Sequence, residues 1–217
     1  LKRFLQVIGN VAIMILSFAG YMYLQQFYVL PQKERINFGI GATIVLVTVI
    51  IIGLISWAYK YQLRQENDWF FNSKPHWDWK RGLIAVGMFF LILVMQIIFI
   101  NLFGGASSEN QKALDQVQMH SNAIFNLLLV IVAPICEELI FRGMFFNTFF
   151  PEENSWSQLL GVITSGLVFA WCHDPFFSKY IFVYWMLGSI LAWTYVWTKD
   201  LRYSILAHML NNLMGLL

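Results

Sequence analysis

Charge is what this sequence has least of. Of 217 residues only 12% are Asp, Glu, Lys or Arg, about half of the roughly 25% found in soluble domains. With 59% of the chain hydrophobic, a soluble core of this length has no room for the apolar side chains, so lipid must serve as part of the solvent. The formal net charge of +2 leaves no basic surface for nucleic acid. Cysteine is also scarce. Cys136 and Cys172 both fall in apolar stretches, a pattern that excludes a disulfide framework. Prolines number five, and no Pro/Gly-rich linker, low-complexity tract or internal repeat interrupts the chain. That excludes a string of tethered modules and leaves one membrane domain. No cleavable signal followed by a soluble region is present. The first residue is Leu1 rather than Met, so the chain reads as a processed or trimmed form.

What is abundant is aromatic and aliphatic. Aromatics make up 18%, with nine Trp and twenty Phe, which suits a chain crossing two membrane–water interfaces. A helix rises ~1.5 Å per residue, so about 20 apolar residues span the hydrocarbon. Seven segments qualify: 4–28, 38–59, 82–103, 122–150, 156–173, 180–198 and 203–217. The expected fold is all-α, a polytopic transmembrane helix bundle of about seven spans, whose last span is either complete or cut short. The loop 59–81 carries Lys60, Arg64, Lys74, Lys80 and Arg81 together with Trp69, Phe70, Phe71, Trp77 and Trp79, and reads as an interfacial aromatic belt or a helix lying on the surface. Counting Lys2, Arg3, Lys199 and Arg202 on the same side gives nine basic residues against four (Lys33, Arg35, Lys112 and Lys179) on the other. The bias places the N-terminus in the cytoplasm and the loop 104–121 outside.

Ionisable groups at membrane depth cost at least ~2.5 kcal/mol on insertion scales and persist when paired, solvated or functional. The first three spans have almost none, and the chain divides into a scaffold part, 1–121, and a loaded part, 122–217. In the fourth span Glu138 and Arg142 are i,i+4 and form an ion pair on one face. Glu137 is turned about 100° away and is left without a local partner, the situation that suits a general base. Pro134, which lacks an N–H, opens space for water beside it. The bland alternative is a salt bridge stitching helices. His173 ends the fifth span before Asp174-Pro175, and alone reads as a polar helix terminus. His208 and Asn212 are i,i+4 on the seventh span, and alone read as a hydrogen-bonded pair gluing helices.

On straight helices Glu137 lies about 20 Å and His173 about 26 Å above the turn that joins their spans, while His208 lies only about 9 Å above Arg202. The three meet if the fourth and fifth spans protrude into the cytoplasm. A carboxylate, two imidazoles and an amide in one cavity suit hydrolysis, the carboxylate taking a proton from water and the others holding an oxyanion. Gly143 and Gly161 suit close helix approach. Tyr184, Trp193 and Trp197 read as packing or interface anchors, and His76 and His120 as solvated loop histidines.

Glu-Glu-x-x-x-Arg (137, 138, 142), Phe-x-x-x-His (169, 173) and His-x-x-x-Asn (208, 212) resemble, in order and spacing, the three motifs of the CAAX protease and bacteriocin-processing enzymes, also called the Abi or Rce1-like intramembrane proteases. The resemblance covers 122–217, and the N-terminal part resembles no family. It implies a glutamate-dependent intramembrane peptidase that needs no metal or other cofactor. Glu137 would be the general base, His173 would help hold the attacking water, and His208 and Asn212 would stabilise the oxyanion. Glu138 and Arg142 would support the site, with Phe169 packed beneath His173. It further implies a peptide or membrane-protein substrate, membrane-associated or lipidated, and the compactness of the chain suggests a bacterial member, resident in the cytoplasmic membrane.

Other readings stay open at this stage. Glu137, His173 and His208 suit zinc, which takes three protein ligands and a water. Cys136 or Cys172 with His and Asn is a possible thiol constellation. A scaffold that binds and regulates a partner protein without proteolysis would keep the same helices, and a small transporter would use the charges to line a path.

Overall fold

A computed structural model of the chain describes residues 1–29, 37–65, 67–104, 111–112, 116 and 124–216. Lys33, Arg35, His120 and most of the loop 104–121 lie outside the described residues. Among the described residues seven helices carry the fold: α1 (Lys2–Gln25), α2 (Phe38–Leu63), α3 (Trp79–Phe103), α4 (Ile124–Phe149), α5 (Ser155–His173), α6 (Ile181–Thr198) and α7 (Leu201–Met214). No strand occurs among the described residues. The first six are long and apolar enough to cross a membrane; α7, with 14 residues, is about 21 Å long and shorter than the hydrocarbon.

Side-chain caps set four of the starts. Asn37, Asp78, Asn154 and Asp200 each accept a backbone N–H from the first turn of the helix that follows, satisfying donors that have no intrahelical partner. Lys199, in the left-handed region at φ 56°, ends α6. With Asp200 it makes a two-residue turn that sends α7 straight back along the bundle.

The helix that carries the paired glutamates is the one most enclosed by protein. Every residue of 136–148 in α4 is buried, as expected of a helix apolar all round. By contrast α1–α3 present Leu16, Val45, Val49 and Leu83, each at least 60% exposed, as a lipid-facing surface. The protein is an integral membrane protein. Packing is closest where glycine allows it. A Cβ on Gly188 would come 2.9 Å from Gly166 Cα, and one on Gly143 2.7 Å from the Tyr59 ring. Both α5–α6 and α2–α4 are drawn together at these points.

The basic loops gather at one end of the bundle. Arg3 pairs with Glu152 at 3.2 Å, Arg81 approaches Asp200 at 3.9 Å, and Lys199 pairs with Glu153. Asp68 and Asn72 donate backbone N–H groups to Pro151 and Lys199 at 2.9 and 2.8 Å. The aromatic-belt reading of 59–81 needs correcting here. Phe70, Trp77 and Trp79 face outward, but Trp69 and Phe71 are 2% and 3% exposed. They stack on each other at 5.1 Å, and Phe71 stacks on Tyr195 at 4.2 Å. Trp69 Nε1 donates to Phe150 O at 2.7 Å, so its polar edge is satisfied inside the protein and it has no need of the interface.

Candidate active site

α4 departs from a regular helix on either side of the turn that holds Pro134. The helix widens into π-helical turns over Leu128–Val132 and again over Leu139–Met144, either side of the α-helical Ala133–Glu138. Such turns are rare and concentrate at functional sites. In the wide register Ala133 N–H reaches Leu128 O, and the donor owed to Leu129 O falls on Pro134, which has none. Asn212 supplies it from α7, its Nδ2 donating to Leu129 O at 2.9 Å. The carbonyl that proline releases therefore goes to a protein amide.

Glu138 and Arg142 are both 0% exposed and pair at 2.9 Å. Burying an ion pair so deep costs desolvation, which further contacts offset in part. Arg142 Nη2 donates to Gly188 O at 3.0 Å, and the guanidinium lies over the Phe169 ring at 4.5 Å. Glu138 accepts from the Ser204 hydroxyl, and its Oε1 lies 2.9 Å from His208 Nδ1. α4, α6 and α7 are thereby tied to one ion pair.

Glu137 faces the other way, as the helical spacing requires, and it does have a partner, from the far end of the sequence. Tyr21 Oη, on α1, donates to Glu137 Oε1 at 2.6 Å. The second oxygen, Oε2, lies 3.7 Å from His208 Nε2 and 4.0 Å from His173 Nε2. Both distances exceed a direct hydrogen bond and suit one bridging water. Each imidazole is oriented through its other nitrogen. His173 Nδ1 is 2.8 Å from Phe169 O and His208 Nδ1 is against Glu138. Those acceptors make Nδ1 the protonated nitrogen and turn Nε2 towards Glu137. His173 is also held flat, stacked at 4.2 Å on Phe169 and at 5.0 Å on Tyr184.

The structure thus brings Glu137, His173 and His208 together around one carboxylate oxygen, with Glu138, Arg142 and Phe169 in support. Asn212 lines the same cavity, of about 610 Å³. Met22 and Gln25 of α1, Gln96 of α3 and Asn211 of α7 line the cavity farther out. All belong to the helix ends opposite the basic loops.

Cys136 is fully buried, whereas Cys172 is exposed and lines the cavity. Among the described residues no group of three or more His, Cys, Asp and Glu side chains has the spacing a metal ion requires. Tyr21, Gln96 and Ser204 were not singled out by sequence reasoning. A tyrosine near the end of an apolar helix looks like an interface anchor, and nothing local distinguishes it.

Fold and site together define a polytopic helical membrane protein with a buried carboxylate–imidazole centre. Residues 119–214 match the family described as type II CAAX prenyl endopeptidase Rce1-like. The chain is 31% identical over 125 residues to the membrane-embedded CAAX protease MroQ of Staphylococcus aureus, covering 55% of this chain and 49% of MroQ. It is 33% identical over 138 residues to the putative membrane peptidase YdiL of Bacillus subtilis, covering 60% and 53%. To the UPF0177 protein YajF of Lactococcus lactis it is 28% identical over 179 residues, covering 80% and 84%. The chain spans about half the length of MroQ and YdiL. No solved structure matches it.

Proposed function

We propose that this protein is an intramembrane endopeptidase that hydrolyses a peptide bond with water activated by Glu137. The observation that carries the reading is the convergence of two imidazole Nε2 atoms on Glu137 Oε2, at 3.7 and 4.0 Å, inside a cavity. Water held between Oε2 and His173 gives its proton to Glu137 as its oxygen attacks the scissile carbonyl carbon. The oxyanion that forms is met by the second N–H of Asn212 and by His208, which in its protonated form donates through Nε2 while Nδ1 stays on Glu138. Collapse breaks the C–N bond, and Glu137 returns its proton to the leaving amine.

On this reading 122–217 is the catalytic core and 1–121 the part that shapes its surroundings. The substrates are membrane-associated or lipidated peptides or membrane proteins, met in a bacterial cytoplasmic membrane. With the basic end cytoplasmic, the N-terminus lies inside and the cavity opens towards the outer half of the bilayer.

The test is cleavage of candidate membrane peptides by purified protein, wild type against Glu137→Ala, each with and without a chelator. Loss of cleavage in the variant and persistence in the chelator is expected. Chelator sensitivity transfers the site to zinc. If neither protein cuts any peptide, and Glu137→Ala still restores the phenotype of a deletion strain, the protein is a scaffold for a partner.

A further inference from the structure

We propose that Tyr21 and Gln96 are positioning residues of this site, so that the helices ahead of the Rce1-like domain set the aim of both its base and its amide donor. The inference rests on the peptidase reading and extends it to residues outside 119–214, the part that matches the family.

Tyr21 decides which oxygen of Glu137 does the chemistry. Both side chains are buried, at 4% and 7% exposure, and the phenol occupies Oε1 at 2.6 Å. A carboxylate turns freely about its last bond unless something holds one oxygen. With Oε1 taken, Oε2 is the oxygen that faces His173 and His208. Tyr21 is itself fixed by edge-on contact with Phe18 at 6.4 Å, and Phe18 meets Phe141 of α4 at 5.9 Å.

Gln96 closes the chain of amides that holds Asn212 in place. Leu129 O can only accept, so Asn212 must present nitrogen to it, as the 2.9 Å contact has it. Its oxygen then needs a donor and receives one from Asn211 Nδ2 at 3.2 Å, whose own oxygen receives Gln96 Nε2 at 3.1 Å. The polarity of the three-amide chain is thus set at one end by a backbone carbonyl and completed at the other by α3. Asn212 keeps its second N–H for the cavity.

The experiment uses the full-length chain in lipid nanodiscs with Tyr21→Phe and Gln96→Met, which keep the shape of each side chain. Two readouts need no substrate. The infrared difference between wild type and Glu137→Gln isolates the Glu137 carboxylate bands, and these bands must move when the same pair is compared in the Tyr21→Phe background. In protein labelled with ¹⁵N at asparagine, the Asn212 side-chain amide resonances must move in Gln96→Met. The kinetic readout uses an internally quenched apolar peptide of about 20 residues that the wild type cuts. Each variant is expected to lower kcat about tenfold with KM changed less than about twofold, the signature of misaligned groups and not of lost binding. The double variant should approach the product, since the two chains share no contact. Tyr23→Phe, on the exposed side of α1, should leave kcat unchanged. Unmoved bands or resonances, or a rise in KM at constant kcat, overturn the positioning role. Retention of cleavage by Glu137→Gln overturns Glu137 as the base instead, and leaves the infrared result to decide the Tyr21 contact on its own.

Discussion

Replacing Arg142 by alanine should damage the fold more than almost any other single change. The guanidinium has 0% exposure, pairs with Glu138 at 2.9 Å, donates to Gly188 O at 3.0 Å and covers the Phe169 ring at 4.5 Å. Its removal leaves Glu138 buried beside a second carboxylate, Glu137, with only Ser204 and His208 on it. Stripping one partner from a buried ion pair costs about 3–5 kcal/mol, most of it from the charge left behind. At about 2–4 °C per kcal/mol for a chain of this size, the melting temperature should fall by about 6–20 °C. Cys136 is fully buried and serves as the reporter: in a Cys172→Ser background a thiol-reactive dye signals only when α4 is exposed. The charge left on Glu138 has a second consequence. Adding Glu138→Gln to the Arg142→Ala variant should recover part of the loss, because the uncompensated charge has gone. An Arg142→Ala protein melting within about 2 °C of wild type, or no recovery in the double variant, would refute the reasoning.

Gly166→Ala should cost about 1–3 kcal/mol and lower activity, because the added Cβ would come 2.8 Å from Ser189 N and 3.0 Å from Trp185 O, backbone atoms that no rotamer change moves; melting and peptide cleavage read both effects. Asp200→Ala removes the cap on Arg202 N at 3.1 Å and the Arg202 ion pair at 2.6 Å, and should destabilise by about 1–3 kcal/mol in the same melt, with α7 the element disturbed. A membrane-impermeant maleimide added to intact cells should label Cys172, which lines the cavity, and spare Cys136. Labelling only after the cytoplasmic face is opened would reverse the proposed orientation.

Much of this was legible in the chain because membranes enforce simple rules. Apolar runs long enough to span gave all seven helices close to their observed limits, and the i,i+4 spacing of Glu138 and Arg142 gave their ion pair. Local spacing also turned Glu137 away from that pair, and the structure agrees. What spacing does not carry is which distant helix fills a given face. Tyr21 is 116 positions from Glu137, and its phenol reads in sequence like any interfacial aromatic. The same blindness made interface anchors of Trp69 and Phe71, whose burial depends on the turn after α4 folding over them. The π-helical turns were equally hidden. Pro134 announces a missing donor, but not that the helix will widen and borrow an amide from α7.

Each π-helical stretch of α4 accommodates one more residue than an α-helix with the same number of turns. Ala133–Glu138 therefore sits between two slips of phase, and its angular setting is independent of the helix on either side. Losing one residue from Leu128–Val132 would restore α register ahead of the site and leave Glu138 and Arg142 in step. Losing one from Leu139–Met144 would swing Arg142 off the face it shares with Glu138. The first stretch therefore governs the Leu129 carbonyl that Asn212 meets, and the second the face that Arg142 shares with Glu138.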